Sequence, residues 1–411
     1  MLFLSANISI YIMQWISNLL LSASLLGIAS LGIEKPESYS QSNTPIIYEI
    51  DHQIDFPNHI YLELETTAQN KITEVVFYYT FSGQQTIIYG KPSFEPSKSV
   101  KTRHQINTSK SDYLPPGLII TWHCLITDSQ GNTIETKRQT FPYLNPELKW
   151  ENLESENFNI YWHDSNKNMI SRVASQTNIL LNKSKEIFDF TVHPKINVVV
   201  INNDRNSMPP ISHKAASTHL YAGFAFPEYQ TAVINTARTE LLTHELIHIY
   251  LDQKVGIYKP FVPAWLNEGL ANYFATSQST LKPSDEYQDW FKLQNMHNVP
   301  GRPQDVHKFY SQSEKVVAYL IESYGHKKMN ILLEELSEGQ KIDDAMLKSY
   351  GFSVSQANSL WKTNTIYQRQ NFISIKHLTI AAIFASIFIF GTLIFYKKKS
   401  KQNVISSKST D

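Results

Sequence analysis

The chain has 411 residues, and its 37 Lys and Arg side chains balance its 37 Asp and Glu side chains. This balance gives no support for nucleic-acid binding, which usually depends on a basic surface. A chain of this length can bury the cores of two ordinary domains. Cys124 is the only cysteine in the sequence, so an intramolecular disulfide is excluded and the fold must be stabilised by core burial.

Residues 1–33 contain neither a charged side chain nor a histidine. Within them, Leu19–Leu31 is strongly apolar and rich in small residues, which is typical of a secretory signal peptide or an N-terminal membrane anchor. The positive residues that usually begin a signal peptide are missing. Cleavage and retention of this segment therefore both stay open.

Residues 45–148 have the strand pattern of a small antiparallel β-sandwich, similar to an immunoglobulin domain. Apolar and polar residues alternate in His59–Thr66 and in Leu118–Thr127, and Lys71–Phe81 is predicted to be a further strand. No cluster of catalytic residue types is present in this part of the sequence. We therefore expect the region to position the rest of the chain, to bind a partner or to act as a spacer.

From residue 149 onward, the pattern changes to mixed strands and helices. Asn157–Trp162 is predicted to be a strand, Asn166–Phe188 a long helix and Asn197–Ile201 a buried strand. Tyr221–Ile234 is predicted to form one or two strands around a turn near Pro227. The chain as a whole is therefore predicted to have an α+β fold.

Residues 244–248 read His-Glu-Leu-Ile-His. Residues four apart on a helix project from the same face, so His244 and His248 can bind one metal ion. Glu245 can then reach a water molecule on the open side of that ion, where a general base is needed. The alternative is a surface helix with two solvated histidines. The apolar surroundings instead indicate a buried helix, whose polar side chains need partners.

A second helix is predicted at Ala264–Ala275, because Pro263 can open it. The His-Glu-x-x-His motif and the later Asn-Glu-Gly-Leu-Ala segment together resemble the gluzincin metallopeptidases, the group that includes thermolysin. This resemblance implies a thermolysin-like zinc peptidase domain at residues 149–366, similar to the peptidase MA-like domain of bacterial exported proteins. It also implies that Glu268 is the third ligand of one Zn²⁺ ion and makes Asn272 a candidate for orienting a zinc-bound histidine. The alternative for Asn272 is a solvated residue on the helix surface.

In the same family, an edge strand before the zinc helix pairs with the substrate backbone. We expect this role for the segment that holds Gly223, Phe224 and Phe226. Zinc aminopeptidases of the group carry a Gly-x-Met-Glu-Asn segment at this place, whereas this chain has a different sequence. The difference argues against a standard aminopeptidase and leaves endopeptidase and exopeptidase action open.

The family usually needs a further hydrogen-bond donor to stabilise the oxyanion. Tyr310 is the preferred candidate, because it is predicted at the entrance of a helix that runs from Glu314 to Tyr324 and could face a cleft. Packing is the commoner role for any one of the 22 tyrosines in the chain. The other downstream candidates are Tyr319, Tyr324, His307 and His326.

Leu378–Tyr396 contains no charged residue. At about 1.5 Å per residue, a helix of this length spans the hydrocarbon core of a bilayer, which is about 30 Å thick. The lysines that follow predict a basic cytoplasmic tail at residues 397–411, able to contact anionic lipid. Residues 34–376 would then lie outside the cytoplasm. A buried core helix is the alternative, and the lack of a polar face argues against it.

Together, these features predict a single-pass protein of the cell membrane with an extracytoplasmic zinc metallopeptidase domain that hydrolyses peptide or protein substrates. The competing hypothesis is a protein with an inactive zinc domain, in which the β-sandwich acts as a surface binding or sensor module. No nucleic-acid partner is expected, and the oligomeric state stays open.

Overall fold

The computed structural model describes residues 46–189, 195–202, 222–276 and 289–364, together with 379, 382–394 and 397. The expected signal peptide or anchor at residues 1–33 lies outside these residues. In the described chain, an antiparallel sheet is followed by a second, five-stranded sheet and a group of helices. The mixed α and β architecture predicted from the sequence is therefore confirmed.

The first region is a seven-stranded antiparallel sheet built around one long strand. Its strands are β1 Ile47–Asp55, β2 His59–Phe81, β3 Ile88–Gly90, β4 Ser97–Asn107, β5 Ile119–Asp128, β6 Thr133–Glu135 and β7 Gln139–Pro142. The first half of β2 pairs with β1 and β4, and its second half pairs with β3 and β5.

The prediction of two separate strands at His59–Thr66 and Lys71–Phe81 was wrong. The residues between them include no glycine or proline to force a turn, so the backbone stays extended with a register shift.

The two halves of this sheet share one hydrophobic core. Ile60 and Leu62 from the first half of β2 are buried in the same cluster as Phe77 from its second half and Trp122 from β5. Both halves of β2 therefore contribute to one core, and the predicted sandwich arrangement stays a prediction. Cys124 lies in this core, where burial raises the pKa of its thiol to about 12. It is an apolar filler and not a reactive thiol.

The second region begins with a five-stranded sheet of order β11-β12-β10-β9-β8. Its strands are β8 Glu151–Glu154, β9 Phe158–Trp162, β10 Ile196–Val200, β11 Gly223–Phe226 and β12 Thr231–Ile234. Strands β9, β10 and β12 are parallel, whereas the two outer strands run antiparallel to their neighbours. A short 3-10 helix at Pro227–Tyr229 joins β11 to β12, so the turn predicted near Pro227 is confirmed.

Residues 354–364 are helical, and six further α-helices complete the described part of this region. They are α1 Lys167–Phe188, α2 Thr239–Val255, α3 Ala264–Ala275, α4 Pro303–Tyr324, α5 His326–Ser337 and α6 Ile342–Tyr350. The side chain of Asn166 caps α1 by accepting hydrogen bonds from the amides of Asn168 and Met169. The apolar faces of these helices and one face of the sheet form a continuous core that includes Leu246 and Trp265.

Helix α4 begins earlier than the sequence predicted. Pro303 occupies its first turn, which suits proline because the amide hydrogen that it lacks has no helical acceptor there. The expected start at Glu314 was wrong. Tyr310 therefore lies about two turns inside the helix, and not at its entrance.

The apolar segment predicted to span a membrane lies only partly within the described residues. Residues 379, 382–394 and 397 are helical. In the part of the chain that the structure describes, no helix combines the length and the apolar character needed to cross a membrane. The predicted basic tail falls outside the described residues, apart from Lys397.

Candidate metal centre

Helix α2 presents both histidines of the motif on one face. It begins at Thr239 and ends before Gly256, as the sequence predicted. The Nε2 atoms of His244 and His248 are 3.0 Å apart, and their ring planes are inclined at 87°. Two nitrogen lone pairs can therefore point toward the same position in space.

Glu268 on helix α3 adds a carboxylate to this pair. Its Oε2 atom lies 3.4 Å from Nε2 of His244 and 3.5 Å from Nε2 of His248. Ligand atoms about 2.1 Å from a tetrahedral Zn²⁺ ion are about 3.4 Å from one another. The triangle of donor atoms therefore has the size that zinc requires.

The burial of one carboxylate oxygen in this group also fits a cation-binding site. Oε2 of Glu268 is buried and receives no hydrogen bond from the described residues, although buried carboxylate oxygens are normally satisfied. His244, His248 and Glu268 form a group that could hold a metal ion. The structure thus brings together all three predicted ligands, and their nitrogen and oxygen donors fit zinc.

Asn267 lies within hydrogen-bonding distance of two of the three candidate ligands. Its Oδ1 atom lies 3.1 Å from Nδ1 of His248, and its Nδ2 atom donates to Oε1 of Glu268 over 3.2 Å. Nδ1 of His248 can therefore donate its proton to the amide oxygen, which leaves the Nε2 lone pair free for a metal ion.

The hydrogen bond to a histidine that was predicted for Asn272 is made instead by Asn267, five residues earlier on the same helix. No hydrogen bond joins the Asn272 side chain to His244 or His248 in the structure, and its backbone carbonyl accepts from Thr276 at the end of α3. The sequence contained a signal for the correct residue, because Asn267 directly precedes the ligand. Which asparagine faces α2 depends on how the two helices cross, and spacing alone did not reveal it.

The electrostatic environment shifts the pKa values of the two carboxyl groups of the site in opposite directions. Burial alone would raise the pKa of Glu268, but the adjacent His248 and His244 outweigh it and hold the pKa well below its usual range. Burial raises the pKa of Glu245 to about 7, although His244 partly opposes this effect. Glu268 therefore stays ionised as a ligand should, while Glu245 can exchange a proton near neutral pH.

Strand β11 lies beside Glu245 at the edge of the five-stranded sheet. A Cβ atom placed on Gly223 would stand 2.6 Å from Oε1 of Glu245. The carboxylate thus packs directly against the strand backbone. The strand expected to pair with a substrate backbone therefore lies next to Glu245.

Side chains along β11 alternate between the two faces of the sheet. Gly223 and Ala225 face helix α2, and Ala225 packs against the main core. Phe226 packs on the other face, in a small cluster with Val199 and Val233. Its ring is therefore used for packing, and only its backbone remains suited to the predicted substrate role. The same role for Phe224 stays a prediction.

Tyr310 lies on α4, the helix that packs against α3. A Cβ atom on Gly269 would stand 2.5 Å from the backbone oxygen of Ser313, one turn beyond Tyr310. The ring of Tyr310 contacts that of Phe309 edge-on, with centroids 6.1 Å apart. These contacts place the α4 backbone close to the ligand helix. The predicted oxyanion role of the Tyr310 hydroxyl stays a prediction.

The sequence of residues 217–367 matches the family model described as the Peptidase MA superfamily. The matched segment contains the His-Glu-x-x-His helix, the ligand helix α3 and the edge strand β11. No curated protein matches this chain.

Several solved structures resemble this chain at low sequence identity. An M1 zinc metallopeptidase from Deinococcus radiodurans is 11% identical over 74% of this chain and 90% of that chain, with a TM-score of 0.35. An aminopeptidase N family protein from Idiomarina loihiensis is 9% identical over 76% of this chain and 75% of that chain, with a TM-score of 0.33. The match to OgpA from Akkermansia muciniphila has 10% identity and a TM-score of 0.21, and it covers 25% of this chain and 28% of that one.

Proposed function

Since the region at residues 217–367 is a gluzincin-type, zinc-peptidase-like domain of the Peptidase MA superfamily, we propose that this protein is a zinc-dependent peptidase that hydrolyses peptide bonds. One observation carries the proposal. The three converging donor atoms of His244, His248 and Glu268 lie on the same helix pair as Glu245, which itself packs against an edge strand. A metal site, a proton acceptor and a place for a peptide backbone therefore coincide.

His244, His248 and Glu268 would hold one Zn²⁺ ion, with Asn267 fixing the orientation of His248 and Glu268. When bound, the ion supplies Lewis acidity, which makes a water molecule more acidic and polarises the scissile carbonyl. The donor set of two imidazoles and one carboxylate leaves a fourth tetrahedral position for this chemistry.

Glu245 is the proposed general base. Its carboxylate takes a proton from the water molecule that attacks the carbonyl carbon. The same carboxyl group then gives this proton to the nitrogen of the departing amine, so the peptide C–N bond breaks and Glu245 returns to its starting state. The pKa of about 7 that burial imposes on Glu245 suits both directions of transfer near neutral pH.

The substrate is proposed to bind as an added strand on β11. This strand is the outer member of its sheet in the described structure, and its other edge pairs with β12 from Gly223 to Phe226. Main-chain hydrogen bonds to a free strand edge bind an extended peptide with little demand on its side chains. The missing Gly-x-Met-Glu-Asn segment leaves both exopeptidase and endopeptidase action compatible with this mode.

The decisive experiment compares Glu245→Gln with Glu240→Gln. Both residues are on α2, but Glu240 is exposed in the first turn. Zinc content and cleavage of a mixed peptide library are measured for the full chain. Glu245→Gln should keep its zinc and lose at least about 1,000-fold in kcat, while Glu240→Gln should match the wild type.

Full activity of Glu245→Gln would refute the mechanism. A wild-type protein that binds zinc and cleaves no peptide in the library would instead support the competing hypothesis, in which the zinc domain is inactive and the N-terminal sheet binds or senses a partner. The rate of peptide cleavage by the wild-type protein therefore distinguishes the two proposals.

We also propose that the chain is anchored in the cell membrane by residues 378–396, with the peptidase domain outside the cytoplasm. The support is compositional, since the segment is uncharged and lysines follow it. Large apolar side chains in its described part are exposed, including Phe384 and Phe388. Membrane fractions washed with alkaline carbonate should retain the full chain, and a variant ending at residue 370 should be released. Release of the full chain would contradict the anchor.

A further inference from the structure

The N-terminal sheet contacts the zinc-binding region through two of its connecting segments. These are Phe81–Gln84, which follows β2, and Tyr113–Gly117, which precedes β5. We call them the supporting segments. Both reach the hairpin formed by β11, the 3-10 helix Pro227–Tyr229 and β12, or strands that adjoin it.

The closest approach is between two backbones. A Cβ atom on Gly83 would stand 2.6 Å from the carbonyl oxygen of Glu228 and 3.0 Å from the carbonyl carbon of Tyr229. Backbone atoms cannot rotate away from such a clash as a flexible side chain could. Gly83 has a φ of +79°, which also favours glycine. Only glycine therefore allows this segment to lie flat against the hairpin turn.

Ser82 fixes the same contact with hydrogen bonds. Its hydroxyl donates to the carbonyl oxygen of Tyr229 over 2.8 Å and accepts from the amide of Ile119 on β5 over 3.2 Å. The ring of Phe81 meets that of Tyr229 edge-on, with centroids 6.3 Å apart. One side chain of the first sheet thus joins a strand of that sheet to the turn of the hairpin.

The second supporting segment meets the hairpin at β11 itself. The ring of Tyr113 lies 5.9 Å from that of Phe226, between centroids. At the end of this segment, Gly117 packs so tightly on Val199 of β10 that a Cβ atom would overlap its side chain. The hairpin is therefore held at its turn and on its outer face.

Only the short hairpin separates these contacts from Glu245, the proposed general base. The hairpin strands have four residues each, and the strand that receives Tyr113 on one face presents Gly223 to Glu245 on the other. A shift of the turn would therefore change the gap between the strand edge and the carboxylate. Interactions that position a substrate backbone are sensitive to displacements of about 1 Å.

We propose that the N-terminal sheet is a positioning element of the peptidase, and that Ser82 and Gly83 set the distance of strand β11 from helix α2. This inference rests on the proposed function for its kinetic consequence. The sequence left three roles open for this region: positioning, partner binding and spacing. The contacts favour positioning, because a spacer or an independent binding module needs no backbone contact with the hairpin.

The test compares Gly83→Ala with Gly131→Ala in the full chain. Both glycines have a φ of +79° and belong to the N-terminal region, but a Cβ atom on Gly131 meets nothing within 4 Å. The backbone strain of an alanine at this positive φ is therefore shared by both variants. Any difference between them reports the contact of Gly83 with the hairpin.

KM, zinc content and hydrogen exchange are measured for each variant. Gly83→Ala should raise KM for an extended peptide at least about tenfold over Gly131→Ala, because strand pairing is weakened, while zinc content stays equal. Loss of folded protein alone would lower kcat at constant KM. Hydrogen exchange of the amides in residues 222–234 should be faster in Gly83→Ala than in Gly131→Ala.

Equal KM values and equal exchange in the two variants would overturn the inference. Faster exchange in a protein whose wild type cleaves no peptide would support the positioning contact and refute the proposed function. Ser82→Ala provides a second variant without a backbone clash, and it should shift KM and exchange in the same direction by a smaller amount. If Ser82→Ala left both unchanged, the assigned role of Ser82 would be wrong.

Discussion

Gly223 and Glu245 touch without an intervening side chain. The carboxylate Oε1 of Glu245 would be 2.6 Å from a Cβ atom on Gly223, so the proton acceptor and the strand edge are neighbours by direct packing. A peptide that pairs with β11 would enter within reach of this carboxylate. Under the proposed function, substrate binding and proton transfer therefore both depend on this contact.

Gly223→Ala should therefore damage catalysis more than stability. The added methyl group must displace the carboxylate or the strand, and kcat/KM should fall at least about 100-fold, as expected for a misplacement of about 1 Å. Zinc content should stay at one ion, because the ligands are on other residues. Gly301→Ala is the matched control, since a Cβ atom there meets nothing within 4 Å. Equal kcat/KM in the two variants would show that the contact is unimportant.

Asn267→Ala should weaken zinc binding. The substitution removes the acceptor for Nδ1 of His248 and a donor to Glu268, and losses of this kind typically cost 10- to 100-fold in metal affinity. Competition with a fluorescent chelator measures the change. Asn272→Ala is the control on the same helix and should keep wild-type affinity. The reverse order of effects would restore the role first expected for Asn272.

Removal of zinc should lower the unfolding temperature of the wild type. A ligand present at about 1,000 times its Kd stabilises the folded state by roughly 4 kcal/mol, which corresponds to a shift of the order of 10 °C for a region of this size. Calorimetry with and without a chelator measures the shift. His244→Ala should show almost no shift. His297→Ala, which changes an exposed histidine outside the three candidate ligands, should retain the shift. A chelator shift in His244→Ala as large as that of the wild type would refute the ligand assignment.

Asp128 should make the stability of the N-terminal sheet depend on acid pH. Burial alone would raise the pKa of this carboxyl, but hydrogen bonds from Asn132, Asn70 and the amides of Asn132 and Gln130 lower it to about 2. Its ordinary value is 3.8. A lowered folded-state pKa stabilises the fold fully above the unfolded value and loses this contribution as pH falls toward 2.

Chemical unfolding of the wild type and of Asp128→Asn at several pH values measures this contribution. The wild type should be the more stable at pH 7, and the difference should shrink between pH 4 and pH 2, because asparagine does not titrate. A difference that stays constant over this range would show that the carboxylate charge is not involved.

The helices of the metal site could be predicted almost to the residue. Thr239, Gly256 and Pro263 mark their ends in the sequence, and a spacing of four residues fixes the common face of His244 and His248. These are local rules, in which each residue is judged against neighbours a turn away. The edge strand next to the base was also anticipated, because the family resemblance supplied its place.

Such local rules could not predict contacts between segments that are distant in the sequence. Asn267 was passed over for Asn272 because the crossing of α2 and α3 decides which amide faces His248. Gly83 and Glu228 are in contact although they lie far apart in the chain. In the sequence, a glycine after a strand predicts only an ordinary turn. The continuous strand β2 was divided in the prediction because its polar middle resembles a loop. Long-range pairing with β4 and β5 keeps it extended.

The single 23-residue strand β2 should also affect how the proposed peptidase loses activity. Each half of the first sheet contains part of this strand, so neither half can melt while the other stays intact, and the sheet should unfold in one cooperative step. Ser82 and Gly83 come directly after its last residue. Heating or proteolysis that opens the first sheet would therefore release the hairpin at the same moment. Enzyme inactivation should then follow the unfolding of a region that contains none of the metal ligands.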